Sequence, residues 1–222
     1  SSLDYAYAIG ALSNLVTSDS ENLIWLSARI RVYIAQGDYN AALIDLDVLE
    51  TVSEKSPFTL YQRAQCYQGL YEFQQQVDAM TALLAMMETE DADLYDMRGV
   101  AYRNTGNTDA ALADFDKALQ IAPTSASALA ERGWTKYMLK QDEAALKDFT
   151  AAITYAEPNA WLYVQRGSIY QTLGDSVKAK ADLEMALQLD TISSTYAFAL
   201  VHLGKTQQAI AAMKSIVVEN AE

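Results

Sequence analysis

The sequence predicts an all-α solenoid of antiparallel helix pairs, and three observations predict it. First, the dipeptide Arg-Gly recurs at Arg98-Gly99, Arg132-Gly133 and Arg166-Gly167, in steps of 34 residues. Second, three further columns keep the same 34-residue period: Ala111, Ala145, Ala179; Phe115, Phe149, Leu183; and Ala118, Ala152, Ala186. Third, 51% of the 222 residues are apolar while only 9 are Gly and 3 are Pro. That is too apolar for a disordered chain and too poor in turn formers for a sandwich of many short strands. Self-similarity at a period of this size marks a stacked-repeat architecture.

Each unit reads as helix–turn–helix, with apolar stripes at i, i+3, i+4 and i+7 on two helices of roughly 12–14 residues. The stretch LYDMRGVAYRNTGNTDAALADFDKALQIAP, Leu94–Pro123, places Gly99 and Tyr102 on the first helix and Gly106 in the turn. Ala111, Phe115 and Ala118 follow on the second helix, and Pro123 ends it. With its 34-residue length, this pattern resembles the tetratricopeptide repeat. The resemblance implies a right-handed superhelix of about six and a half repeats, roughly 13 helices, in which no repeat buries its own stripe without its neighbours.

Counting in phase divides the chain as one solenoid. Residues 1–22 form a half repeat, the second helix of an upstream unit, with Ala8, Leu12 and Leu15 in its columns. Residues 23–56 carry Tyr33, Gly37, Ala42, Leu46 and Leu49 in phase. Residues 57–91 need one extra residue, and put Tyr71 at the turn glycine and Gln76 at the small-residue position. Residues 92–125, 126–159 and 160–193 follow, and 194–222 is a shortened last repeat with Ala197, Gly204, Ala209, Met213 and Ile216. Small residues mark close helix crossings, and aromatics fill the wider gaps. The two ends carry apolar helices without neighbours, including Ile210, Met213, Ile216 and Val217. They suggest a fragment of a longer array or self-association through terminal helices.

Arg29, Arg63, Arg98, Arg132 and Arg166 share one first-helix position. Sixteen residues after four of them stand Asp45, Asp114, Asp148 and Asp182, whereas the remaining repeat has Ala79 beside Asp78. A column of arginines could bind anions, but a matched acid in each unit favours a structural ladder: Arg29–Asp45, Arg98–Asp114, Arg132–Asp148 and Arg166–Asp182.

The formal charge of −13 argues against nucleic acid as a partner. No apolar run is long enough to insert in a membrane. The chain starts at Ser1 without a Met or leader, so its sequence leaves cytoplasmic and exported locations both open. One cysteine, Cys66, rules out an internal disulfide or a multi-cysteine metal site and is expected to be a small buried hydrophobe. The single histidine, His202, has no acid or nucleophile near it in sequence, and phosphate-loop, GxSxG and HExxH motifs are absent. No catalytic residue, metal site or cofactor is expected, and the chain is read as a non-enzyme.

In arrays of the resembled family the first helices line a concave groove. By phase, that groove includes Phe58, Tyr61, Arg103, Trp134, Tyr137 and Trp161, the six residues expected to hold a partner. The family's chaperone-binding branch holds a terminal carboxylate with a Lys/Asn/Arg clamp. The corresponding positions here are Ser27 and Arg31, Gln62, then Asp93 and Met97, so a carboxylate-clamp partner is not expected. Only three of the 29 acids, Asp93, Asp96 and Glu131, fall on this face, leaving it mixed in charge and rich in aromatics. The expected function is non-catalytic binding of a protein or peptide segment in the groove, as part of a larger protein. The alternatives are a self-assembling scaffold built through the apolar end helices, or the recruiting or regulatory domain of an enzyme encoded outside this chain.

Overall fold

A computed structural model describes residues 2–19 and 22–219, with the side chains of 2 and of 216–219, Ile216 and Val217 among them, outside the described set. The fold is an all-α helical repeat solenoid of thirteen helices, with no strand among the described residues. They are α1 (Ser2–Ser18), α2 (Leu23–Gln36), α3 (Tyr39–Val52), α4 (Pro57–Gly69), α5 (Phe73–Met86), α6 (Ala92–Asn104) and α7 (Thr108–Ile121). Then come α8 (Ala126–Met138), α9 (Asp142–Tyr155), α10 (Ala160–Thr172), α11 (Ser176–Leu189), α12 (Ser194–His202) and α13 (Thr206–Glu219). Two compact units divide the chain, Ser1–Ala111 and Leu112–Glu222.

Local chemistry sets the helix ends. Ser56 and Thr59 form a reciprocal capping box, with Pro57 at the first helical position where its missing N–H costs nothing. Asn22, Asp38, Asp91, Ser125, Asn159, Asp175 and Ser193 each accept a backbone N–H at a helix start. At the intra-repeat turns the chain passes through the left-handed region, at Gly37 (φ 85°), Gly106 (φ 85°), Gly174 (φ 82°) and Gly204 (φ 73°). Tyr71 and Lys140 fill the same place at φ 60°. Their N–H groups still reach the carbonyls of Gln68 and Tyr137, so the turn is preserved while the side chain carries the conformational cost. Lys140→Gly is therefore expected to stabilise the second unit by about 1 kcal/mol, read from the urea midpoint at unchanged slope.

In the first unit the core comprises Leu26, Ile30, Leu46 and Cys66 around α2–α4, and Leu60, Met80, Leu83 and Leu94 around α4–α6. In the second, Leu129, Phe149, Leu162 and Ile169 form one cluster, and Val164, Leu183 and Ala199 another. The periodic columns are buried throughout: Ala42, Ala111, Ala145 and Ala179, and Leu46, Phe115, Phe149 and Leu183. Two glycines of the Arg-Gly pairs are small for a geometric reason. A Cβ on Gly133 would lie 3.1 Å from the Asp148 Cβ and 3.2 Å from the Phe149 ring, and one on Gly167 would lie 3.2 Å from Leu183 Cγ. Gln76, in the alanine column, is 1% exposed, and its Oε1 has no hydrogen-bond partner among the described residues. At the ends, Leu3 and Tyr7 of α1 and Ile210 and Met213 of α13 are exposed.

Candidate functional site

Arginines of one column form ion pairs in both units. Arg29 donates Nε–H and Nη2–H to the two oxygens of Asp45 at 2.7 and 2.8 Å. Arg132 does the same to Asp148 at 2.9 and 2.7 Å, and Arg166 to Asp182 at 2.8 Å twice. Each of these forks closes the first helix of a repeat onto its own second helix. In two of the three the remaining guanidinium nitrogen reaches the opposite way. Arg132 Nη1 donates to Asp116 at 2.7 Å, and Arg29 Nη1 to Ser13 Oγ at 3.1 Å, both sixteen residues before the arginine. Arg29 and Arg132 are thus three-helix stitches. This backward arm was missed in the sequence, although Asp47 and Asp116 sit at the mirrored spacing.

Arg63, in the repeat without a forward aspartate, bonds Asp47 and Glu50 on the preceding α3, while the nearby Asp78 accepts from Gln74. With Ala79 at the forward position, only the backward arm remains available. Arg98, in the first unit, donates to Thr81 Oγ1 at 3.3 Å and lies over the rings of Tyr95 and Tyr102, while Asp114 is buried in the second unit. Arg166 is flanked in the same way by Tyr163 and Tyr170. The Asp45 hydrogen bond holds the Arg29 guanidinium above its ordinary pKa against the opposing cost of burial. For Arg132 burial works against the charge, and bonds to Asp148 and Asp116 more than offset it. These groups stay charged and committed to their partners, which leaves little for an external anion.

Cys66 is fully buried against Ile30 and Leu46, and burial pushes its thiol up to about 11, so it is no thiolate nucleophile at neutral pH. His202 Nδ1 lies 2.6 Å from Gln171 Oε1, its ring 4.6 Å from that of Phe198, and burial lowers its pKa. No group of three or more His, Cys, Asp or Glu that could hold a metal occurs among the described residues, and no described helix is long and apolar enough to cross a membrane.

The six candidate partner residues are all half-buried. In the first unit they are dispersed: Phe58 packs on the α2–α3 cluster, Tyr61 on the α4–α6 cluster, and Arg103 sits in the last turn of α6. In the second unit they converge. The Trp134 ring is 5.8 Å from Tyr137 and 6.4 Å from Trp161, whose other side meets the buried Phe149 at 5.9 Å. Beside the two tryptophans, α8, α10 and α12 border an open slot of about 290 Å³, lined also by Val164, Gln165, Ser194, Thr195 and Phe198. Phe198 is 51% exposed, a large share for a phenylalanine facing an apolar recess. Helical phase could point to Trp134, Tyr137 and Trp161; it could not show that Gln165 is buried beside them.

Residues 92–125 and 162–192 each match a tetratricopeptide repeat family model. Over 99 residues, 42% of this chain, the sequence is 33% identical to the tetratricopeptide repeat protein 36 homolog of Drosophila melanogaster. The match spans 53% of that relative, so the chain covers about half its length. Among solved structures, a tetratricopeptide repeat protein from Parabacteroides merdae superposes with a TM-score of 0.81 at 21% identity, over 97% of this chain and 86% of that one. YrrB, described as a repeat protein of this type with an unusual peptide-binding site, gives a TM-score of 0.65 at 18% identity, over 88% and 98% of the two chains. At these identities the structural likeness concerns the fold.

Proposed function

Since the chain belongs to the tetratricopeptide repeat family, we propose that it is a non-catalytic protein-interaction module that binds a peptide or protein segment on the first-helix face of its second unit. The observation that carries this reading is the half-buried cluster of Trp134, Tyr137 and Trp161 beside the slot under Phe198. Aromatic side chains held rigidly at a wet surface offer large contact area at little entropic cost, as binding hot spots do. The peptide-binding site ascribed to YrrB, which shares the fold, is in keeping with it. Ion-paired arginines and a carboxylate-clamp position occupied by Gln62 both weigh against an acidic terminus as the ligand. The chain is read as one part of a longer protein.

The test is a site-specific crosslink. A benzophenone amino acid at position 137 should capture a partner, and one at the exposed Lys147 on α9 should not. Trp134→Ala should lower capture at least about tenfold while leaving the helical circular dichroism in place. Capture unchanged by that substitution would remove the cluster from the interface.

The exposed Leu3, Tyr7, Ile210 and Met213 favour a second reading, a scaffold that grows by stacking its ends. It predicts light scattering that rises with protein concentration; groove binding predicts a constant mass.

A further inference from the structure

Gln165 stands apart from the other polar side chains of the second unit. It is 8% exposed and lines the slot, yet its amide makes no hydrogen bond among the described residues. It is also unlike Gln76 and Asp142, each of which has an oxygen sealed from solvent without a partner. The Gln165 amide is not sealed in this way, and the residue lines the slot. A buried amide left unmatched costs more than a matched one contributes, so a side chain held in this way is poised for a ligand that supplies both a donor and an acceptor.

Resting on the binding reading above, we propose that the slot takes one bulky apolar side chain of an extended peptide segment and that the Gln165 amide pairs with the main-chain amide beside it. A peptide group presents one N–H and one C=O, the complement of the glutamine amide. The tryptophan faces, Val164 and Phe198 supply the apolar walls, and a volume of about 290 Å³ admits a phenylalanine- or leucine-sized group with room for its entry. No charged residue lines the slot, so the segment is internal and uncharged at this position rather than a terminal carboxylate.

The test uses fragments of such a segment with the full chain, read from the indole N–H signals of Trp134 and Trp161, with Trp25 as an internal reference. N-acetyl-phenylalanine methylamide should shift Trp134 and Trp161 saturably and leave Trp25 in place. N-acetyl-glycine methylamide, which keeps the amides and drops the side chain, should bind at least about tenfold more weakly. Gln165→Met, close in shape and apolar, should weaken the phenylalanine methylamide at least about fivefold while leaving toluene binding unchanged; Gln62→Met, in the first unit, should change neither. Equal loss of toluene and methylamide in Gln165→Met, no loss of either, or no saturable shift in the wild type would each overturn the pairing. A chain that still loses its crosslinked partner on Trp134→Ala yet shows no amide-dependent effect of Gln165→Met would keep the binding face and refute only this inference.

Discussion

Phe149→Ala is expected to destabilise the second unit by about 3–5 kcal/mol, the range for emptying a fully enclosed phenylalanine site. Phe149 is fully buried in α9, with its ring against the bare backbone of Gly133 on one side and Trp161 on the other. The loss should come toward the lower end if α8 settles into the vacated space, which the absence of a Cβ at Gly133 permits. Phe149→Leu should cost less than about 1.5 kcal/mol, because leucine serves at the equivalent Leu46 and Leu183. Urea unfolding with unchanged slope checks both values. The Trp161 indole signal should move in Phe149→Ala even under native conditions, because the ring that orients it is gone. This aromatic contact is one of those that join the core to the proposed binding face.

Arg166→Met should cost about 3 kcal/mol, through the charge it strands rather than the bond it removes. Asp182 is buried, and both of its oxygens are occupied by the Arg166 fork. Removing Asp182 as well, in Arg166→Met/Asp182→Leu, should restore most of the loss. Arg132→Met should be milder at its forward end, since Lys136 Nζ remains 2.8 Å from Asp148. A double-mutant cycle on thermal or urea midpoints measures the coupling. Should the double variant prove no more stable than Arg166→Met, stranded charge is not the cause.

Much of this architecture was legible in the sequence because repeats reveal themselves by recurrence. A position that must be small in one unit must be small in the next, so Ala111, Ala145 and Ala179 form a visible column, as do Gly133 and Gly167 where a Cβ would crowd the neighbouring helix. The forward acids were legible for the same reason, since a spacing of 16 repeats with the arginines. The backward arm was not. Its acceptor changes identity from Ser13 to Asp47 to Asp116, and a contact made by unlike residues leaves no column. The site divides in the same way. Helical phase nominates a face, and aromatics on it draw attention, but Phe58 and Trp134 look alike until packing shows one resting on a core cluster alone and the other at the mouth of a slot. Gln165 was harder still, because a glutamine on a groove face ordinarily reads as solvated; the slot it lines is shared with Phe198, which belongs to the last, irregularly spaced repeat.

The stitching arginines also bear on how such a chain can be cut and rejoined. Consider excision of residues 126–159, one 34-residue period. The residue sixteen places before Arg166 is then no longer Thr150 but Asp116. Arg166 would inherit the backward acid that now serves Arg132, while keeping Asp182 in front. The shortened chain is thus rewired by the deletion itself, with both arms filled and no second change required. Removal of a whole period keeps both sixteen-residue spacings, whereas a one-residue change between an arginine and its acid would break one of them. At Arg63 the forward position holds Ala79 in place of the acid, and the arginine holds only the helix behind it.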